Sequence, residues 1–299
     1  MKVLVTGGAG FIGAHTVRAL LRAGHEVRVV DDLSTGRAEL LDVPLVRGDV
    51  RDQVTVWRAM QGMDAVVHLA ARSSVPASFR DPVGVESVND LGSASILDCV
   101  WRTGVRKVVL ASSAAVYGEG SPIGEATPST PRSPYAASKV AMEALGRVYR
   151  QRGCQVATLR YFNVYGPGQR DGVVHRFLTS LGAALPVHGD GQQSRDFVHV
   201  SDVARANVLA LGWNTEVNIA SGRGTRIGEL AAMLADLTGQ PDRRCHLPAR
   251  ELDPTCCTGD ISRARSLGWS PRIGLTSGLR ALLLARRAPL VRDRAGGSL

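Results

Sequence analysis

The first two dozen residues constrain this chain most. Lys2-Val3-Leu4-Val5-Thr6 is a short apolar run that reads as a strand. Gly7-Gly8-Ala9-Gly10 breaks it, and from Phe11 to Ala23 the apolar residues Ile12, Val17, Leu20 and Leu21 recur at helical spacing. Gly8, Gly10 and Gly13 fit G-x-G-x-x-G, and Gly7, Gly10 and Gly13 fit the G-x-x-G-x-x-G variant. Glycines between a first strand and a first helix let the backbone turn sharply and come close to a pyrophosphate. Its charge then rests on the amides of the helix N-terminus.

The same alternation runs through the first half. Strands are predicted at Glu26–Val30, Pro44–Arg47, Ala65–Leu69, Lys107–Ala111 and Gln155–Tyr161, with helices at Pro82–Thr103 and Pro134–Arg152. Strands alternating with helices predict a parallel sheet covered on both faces. From Tyr165 the pattern becomes less regular. Helices are expected at Ser201–Leu211, Ile227–Thr238 and Ser262–Leu267, with Asp202 and Arg226-Ile227 as helix starts. The expected architecture is α/β: a Rossmann-type doubly wound parallel sheet over 1–164, then a smaller α/β substrate-binding lobe over 165–285. Some segments of that lobe return to the first domain, and 286–299 reads as a frayed tail.

Composition removes several alternatives. No apolar run reaches the roughly 20 residues of a spanning helix, and the N-terminus turns to glycine too early for a signal peptide. Five cysteines, an odd number without a C-x-x-C pair, are expected as free thiols of a cytoplasmic protein. Seven histidines show no metal-ligand spacing, so no metal is expected. The net charge is +9, but only Lys2, Lys107 and Lys139 are lysine, the arginines are scattered and aromatics make up 5%. That speaks against nucleic acid and for a basic cleft holding a diphosphate.

Three further positions carry chemistry. Asp31 ends the second strand 18 residues after Gly13; a carboxylate there accepts from adenosine ribose hydroxyls and repels a 2′-phosphate, which favours NAD over NADP. Asp49, placed at the end of the third strand, faces the adenine edge in this reading. Tyr135 and Lys139 share one helix face at i, i+4, where an ammonium is expected to lower the phenol's pKa. Ser113 follows the fifth strand, at the carboxyl edge where open sheets bind ligands; Ser112 competes with it.

These segments, with His68-Leu69-Ala70-Ala71 and Val116-Tyr117-Gly118, resemble the extended short-chain dehydrogenase/reductase family, and within it the nucleotide-sugar epimerases and dehydratases. The resemblance implies Ser113, Tyr135 and Lys139 as catalytic residues. It implies contact with NAD by Gly7, Gly10, Phe11, Ile12, Gly13, Asp31, Asp32, Asp49, Val50, Leu69, Ala70 and Ala71, besides Tyr135 and Lys139. For the second lobe it implies a UDP-sugar held by Asn163, Arg195, Arg250 and Asp253, in addition to Ser113 and Tyr135, and it implies a homodimer with no membrane partner.

Departures from the family pattern narrow the chemistry. Family dehydratases carry an acid directly after the Ser/Thr and decarboxylases a Glu one residue later, whereas this chain has Ala114 and Ala115. Neither moves a proton, so C4 epimerisation is favoured over elimination. Cys257 stands where some 4-epimerases carry a bulkier residue, which admits an N-acetylhexosamine beside glucose and galactose. Gln169-Arg170 and His175-Arg176-Phe177 resemble uronate 4-epimerases, in which Arg170 would face a carboxylate, but Asn163 and Ala115 depart from that pattern. UDP-glucuronate 4-epimerase and a nucleotide-linked 4-keto-sugar reductase are the alternatives.

Overall fold

A computed structural model describes residues 1–287. The chain runs β1 (Lys2–Thr6), α1 (Phe11–Arg22), β2 (Glu26–Asp31), β3 (Leu45–Arg47), α2 (Gln53–Met60), β4 (Ala65–His68), α3 (Val75–Arg80), α4 (Pro82–Glu86), α5 (Gly92–Thr103), β5 (Lys107–Ser113), β6 (Gly120–Ile123), α6 (Pro134–Gln151) and β7 (Gln155–Tyr161). It continues with β8 (Asn163–Tyr165), α7 (Val173–Thr179), β9 (Leu185–His188), β10 (Ser194–His199), α8 (Val200–Ala210), β11 (Glu216–Ile219), β12 (Gly224–Arg226), α9 (Ile227–Thr238), β13 (Arg244–Leu247), β14 (Cys257–Gly259), α10 (Ser262–Ser266) and α11 (Leu275–Arg287).

Seven parallel strands form the central sheet in the order β3-β2-β1-β4-β5-β7-β11. Strand order reverses beside β1, which opens a crevice at the carboxyl ends of β1 and β4, where such sheets bind ligands. Alternate residues of each strand feed opposite cores. Val3 and Val5 pack with Val17, Leu20 and Val203 on the side of α1 and α8. Leu4 and Val66 pack with Val56, Leu97 and Met142 on the side of α2, α5 and α6. A third core, including Tyr165, Phe177, Phe197, Leu230 and Leu279, fills the smaller lobe. That lobe contains the three-stranded sheet β12-β10-β8 and the pair β13-β9, while β14 pairs with β6.

The structure corrects the sequence reading in four places. Helix α2 was not expected; Asp52 caps it, accepting from the amides of Val54 and Thr55. The single helix expected over Pro82–Thr103 is two α-helices joined by a π turn at Ser87–Leu91. Long-range bonds favour that turn: the Asn89 side chain accepts from Arg72 N and donates to Arg72 O and Ser138 Oγ. Helix α8 begins at Val200 with His199 as its cap, so Asp202 does not start it; its carboxylate instead accepts from Arg272 N and Ile273 N. Finally, Arg286 and Arg287 close α11, and the rest of the expected tail lies outside the described residues.

Candidate active site

The glycine loop is shaped by close backbone approach. Gly7 has φ +67° and a Cβ there would meet Ala70 N at 2.6 Å, so only glycine fits between β1 and the Leu69-Ala70-Ala71 segment that leaves β4. A Cβ on Gly13 would collide with Gly7 O. Gly10 N donates to Gly7 O at 3.1 Å, and Gly10 is the N-cap of α1 with no side chain to occupy it. The amides of Phe11 and Ile12 therefore sit at an open helix N-terminus, a site that suits a pyrophosphate. Phe11 stacks edge-on against His15, whose Nε2 bonds Pro167 O at 2.9 Å.

Asp31 ends β2 beside this loop. Its Oδ2 accepts from Ala9 N and its Oδ1 from Leu33 N, both at 2.9 Å. Burial pushes the carboxyl up, against those two bonds. Asp32 is exposed and binds Ser34 N and Oγ. Asp49 lies two residues beyond β3, not at its end, and is clasped by the Arg51 guanidinium, which holds its carboxyl low. Val50 is buried, and a Cβ on Gly92 would meet its side chain at 2.7 Å.

Ser133 caps α6 by accepting from Ala136 N, and Pro134 opens its first turn. This places Tyr135 and Lys139 facing the end of β5. The Ser113 side chain lies on the side of the Tyr135 hydroxyl and favours its ionised form. Lys139 Nζ donates to Ala111 O at 2.9 Å and lies 5.9 Å from the Tyr135 ring centre. Ser112 is excluded from the site: it points to the other face of β5 and donates to Glu143 Oε1 at 2.5 Å. Contrary to the expected depression, burial pushes the Tyr135 phenol up, and the Ser113 hydroxyl opposes that only in part. Burial also pulls the Lys139 ammonium down to about 8.

Beneath this triad lies a buried network that the sequence reading missed. Arg160 on β7 donates to both carboxylate oxygens of Glu143, at 2.9 and 2.6 Å, and to Tyr117 Oη at 2.7 Å. Tyr117 donates in turn to Asn218 Oδ1 on β11. The available signal was Glu143 itself, one turn beyond Lys139 on the same helix face.

In the smaller lobe, Arg195 on β10 is buried and bonds Asp253 Oδ1 at 2.5 Å and Pro254 O at 2.7 Å. Arg250 is exposed; partial burial and nearby Arg176 pull its guanidinium down. Arg250 and Asp253 line a cavity of 280 Å³ together with His188 and Gln193. Asn163 begins β8 and is exposed. Arg170 is exposed and joins no ion pair among the described residues. Cys257 opens β14 opposite Gly120, and burial pushes its thiol up to about 11, so it is a small inert wall.

A doubly wound sheet, a glycine turn at the strand-order reversal and a Ser/Tyr/Lys triad at the carboxyl edge define an extended short-chain dehydrogenase/reductase. The chain belongs to the NAD dependent epimerase/dehydratase family, which it matches over residues 3–220. A UDP-glucose 4-epimerase of Azospirillum brasilense is 37% identical over 304 residues, 91% of this chain and 87% of that protein. Among solved structures, a Thermotoga maritima UDP-glucose 4-epimerase with UDP-glucose superimposes with a TM-score of 0.93 at 36% identity, covering 96% of this chain and 99% of the other. A Thermus thermophilus UDP-glucose 4-epimerase in complex with NAD gives 0.92 at 38% identity, covering 97% and 100%.

Proposed function

We propose that this protein is an NAD-dependent isomerase that inverts C4 of a UDP-sugar, a neutral hexose or N-acetylhexosamine, through a transient 4-keto sugar. The observation that carries the reading is the Ser113–Tyr135–Lys139 arrangement followed by two alanines. It has a base, an orienting hydroxyl and a cation, but no acid at 114 or 115 to drive elimination. Segment 1–164 is assigned to the dinucleotide, and 165–285 mainly to the sugar nucleotide, with β11 returning to the central sheet.

The residues present fit NAD. Phe11, Ile12 and Gly13 present amides to the pyrophosphate, Gly10 lets it approach the turn, and Asp31 faces the adenosine ribose with Asp32 beside it. Val50, Leu69, Ala70 and Ala71 wall the site, and Asp49, tied to Arg51, stands at its rim. NAD bound there supplies a hydride acceptor that returns the hydride, and its oxidised ring carries a positive charge that favours phenolate. Tyr135 takes the C4 hydroxyl proton and, once hydride has returned to the other face of the ketone, gives a proton back to the C4 oxygen. Ser113 orients the oxygen, and Lys139 stabilises the phenolate. Arg195 anchors Asp253, and Arg250, with Asn163, meets the diphosphate; Cys257 leaves room beside the sugar. Incubation with a panel of UDP-sugars and no reductant tests the proposal: C4 epimers without net NADH change are expected. A need for stoichiometric NADH would make it the 4-keto-sugar reductase.

A uronate substrate is the second reading, favoured by exposed Arg170 in the Gln169-Arg170 segment, which joins no ion pair among the described residues. If it holds, Arg170→Ala lowers turnover of UDP-glucuronate selectively, by about 10- to 150-fold for a charge-assisted bond of ~1.5–3 kcal/mol. If the substrate is neutral, all sugars change alike. A second expected result concerns the cofactor: Asp31→Ser removes the charge that repels a 2′-phosphate and raises the NADP/NAD affinity ratio. An unchanged ratio would remove Asp31 from the ribose site.

The proposal includes a homodimer. Val75, Phe79, Val83, Leu91 and Val148 are exposed on α3, α4, the π turn and α6, with Val83 78% exposed, and a second copy buries them. A monomer in sedimentation at micromolar concentration contradicts this. No helix among the described residues is long and apolar enough to cross a membrane, and a cytoplasmic location is part of the proposal.

A further inference from the structure

Asp196 on β10 is 0% exposed and, among the described residues, joins no ion pair. Arg195, its neighbour along the strand, points to the other face and bonds Asp253 instead. A buried charge without a countercharge is costly unless fixed dipoles replace the water it loses. Four donors do so here. Oδ1 accepts from Ser221 N and Ser221 Oγ, both at 2.6 Å, and Oδ2 accepts from Gly222 N at 2.9 Å and Gly259 N at 3.2 Å. Every contact is a donor, so a proton on this carboxyl would find no acceptor, and the ionised form is the one that fits. Burial pushes the carboxyl up, and the same bonds oppose that.

The donors belong to segments that join the two lobes. The chain passes from the central sheet to the smaller lobe at Phe162, between β7 and β8, and again over 220–223, between β11 and β12. Ser221 and Gly222 lie in the second crossing. Gly259 ends β14 and packs on the first: a Cβ there would meet the Phe162 ring at 2.9 Å and Ala220 Cβ at 2.7 Å. One carboxylate of the lobe sheet β12-β10-β8 thus ties the second crossing directly and the first through Gly259. On the opposite face of β10, Arg195 holds Asp253, whereas Ser113, Tyr135 and Lys139 stand on β5 and α6 of the other lobe. The spacing between these two sets of groups is set at the seam that Asp196 closes.

We infer that Asp196 is a clamp between the lobes, a positioning residue whose four bonds set how a sugar held near Arg195 and Asp253 is presented to Ser113, Tyr135 and Lys139. The inference rests on the proposed division of the ligands between the lobes, but part of its test needs no turnover. Asp196→Asn keeps the shape and puts an amide NH2 where two of the donors point, so those two bonds are lost. Hydrogen exchange followed by mass spectrometry is expected to quicken by about tenfold in 219–223 and 257–260 and to stay unchanged in β1, β5 and α9. Uniform quickening across the chain would mark a general loss of stability and overturn the clamp. In kinetics, kcat on the preferred UDP-sugar is expected to fall by about 10- to 100-fold, the scale for a displaced reacting group. The Kd of NAD and the Kd of UDP alone, each held by one lobe, stay nearly constant. An unchanged kcat in the folded variant overturns the inference. So does a matching loss of NAD or UDP affinity, which would make Asp196 a support of one lobe only. If Asp196→Asn does not fold, Ser221→Ala decides, because it removes one donor and leaves the carboxylate. A kcat lower by about three- to tenfold with both affinities kept is then expected, and an unchanged kcat overturns the inference. Quickening confined to the seam in a protein that epimerises no UDP-sugar would leave the clamp standing and remove the proposed function.

Discussion

Tyr135→Phe is expected to lower kcat by about 10²- to 10⁴-fold, the range for removing a positioned general base, with NAD still bound. The substitution takes away one oxygen. That oxygen faces Ser113 and stands closest to the reacting hydroxyl in the proposed mechanism. The ring, 8% exposed and packed at the start of α6, keeps its place. The amides of the glycine loop and the Asp31 carboxylate lie on other elements and are untouched, so the affinity for dinucleotide stays. Release and assay of the bound dinucleotide, beside initial rates on the preferred UDP-sugar, separates the two effects. Turnover within a few-fold of the unsubstituted protein would mean that another group takes the proton. Loss of dinucleotide would mean that the variant disturbs the fold of the site.

Glu143→Ala is the second large effect, and it falls on stability. The Glu143 and Arg160 side chains are 1% and 5% exposed and bonded by both carboxylate oxygens. Truncation strands the guanidinium, and a buried pair broken on one side costs about 3–5 kcal/mol. Arg160 keeps its bonds to Tyr117 and Glu125 O, which places the expected loss at the lower end of that range. Urea denaturation followed by circular dichroism measures it. The half-exposed pair of Arg244 and Asp242 supplies the contrast, because Arg244→Ala there should change stability by about 1 kcal/mol or less. Replacing Glu143 by Leu and Arg160 by Met together should recover part of the loss, since no charge is then left unpaired. Equal losses for the single and double variants would show that shape rather than charge holds this layer.

What was legible in advance has a common character. The first strand, the glycine turn and the first helix are written within the first two dozen residues, because strand and helix periods follow from local backbone geometry. Tyr135 and Lys139 were placed on one face by the same spacing, and Asp31 by its distance from Gly13. The strand-and-helix alternation was enough to give a parallel sheet, since parallel strands need crossovers.

The tertiary structure decided whatever depends on which side of an element faces which neighbour. Neighbouring residues of a strand point to opposite faces, so Ser112 and Ser113 were equivalent until β5 stood between α6 and β7. Helix spacing likewise placed Glu143 under Lys139, but its partner Arg160 arrives from β7, and Asn218 arrives from β11. The expected depression of the Tyr135 phenol considered one local charge and left out burial, which only the packed lobes create. The π turn that interrupts the expected helix depends on Asn89 reaching Arg72 and Ser138 across the fold. Periodicity along the chain is local and survives in the sequence; desolvation and pairing across the sheet arise only when distant segments exclude water between them.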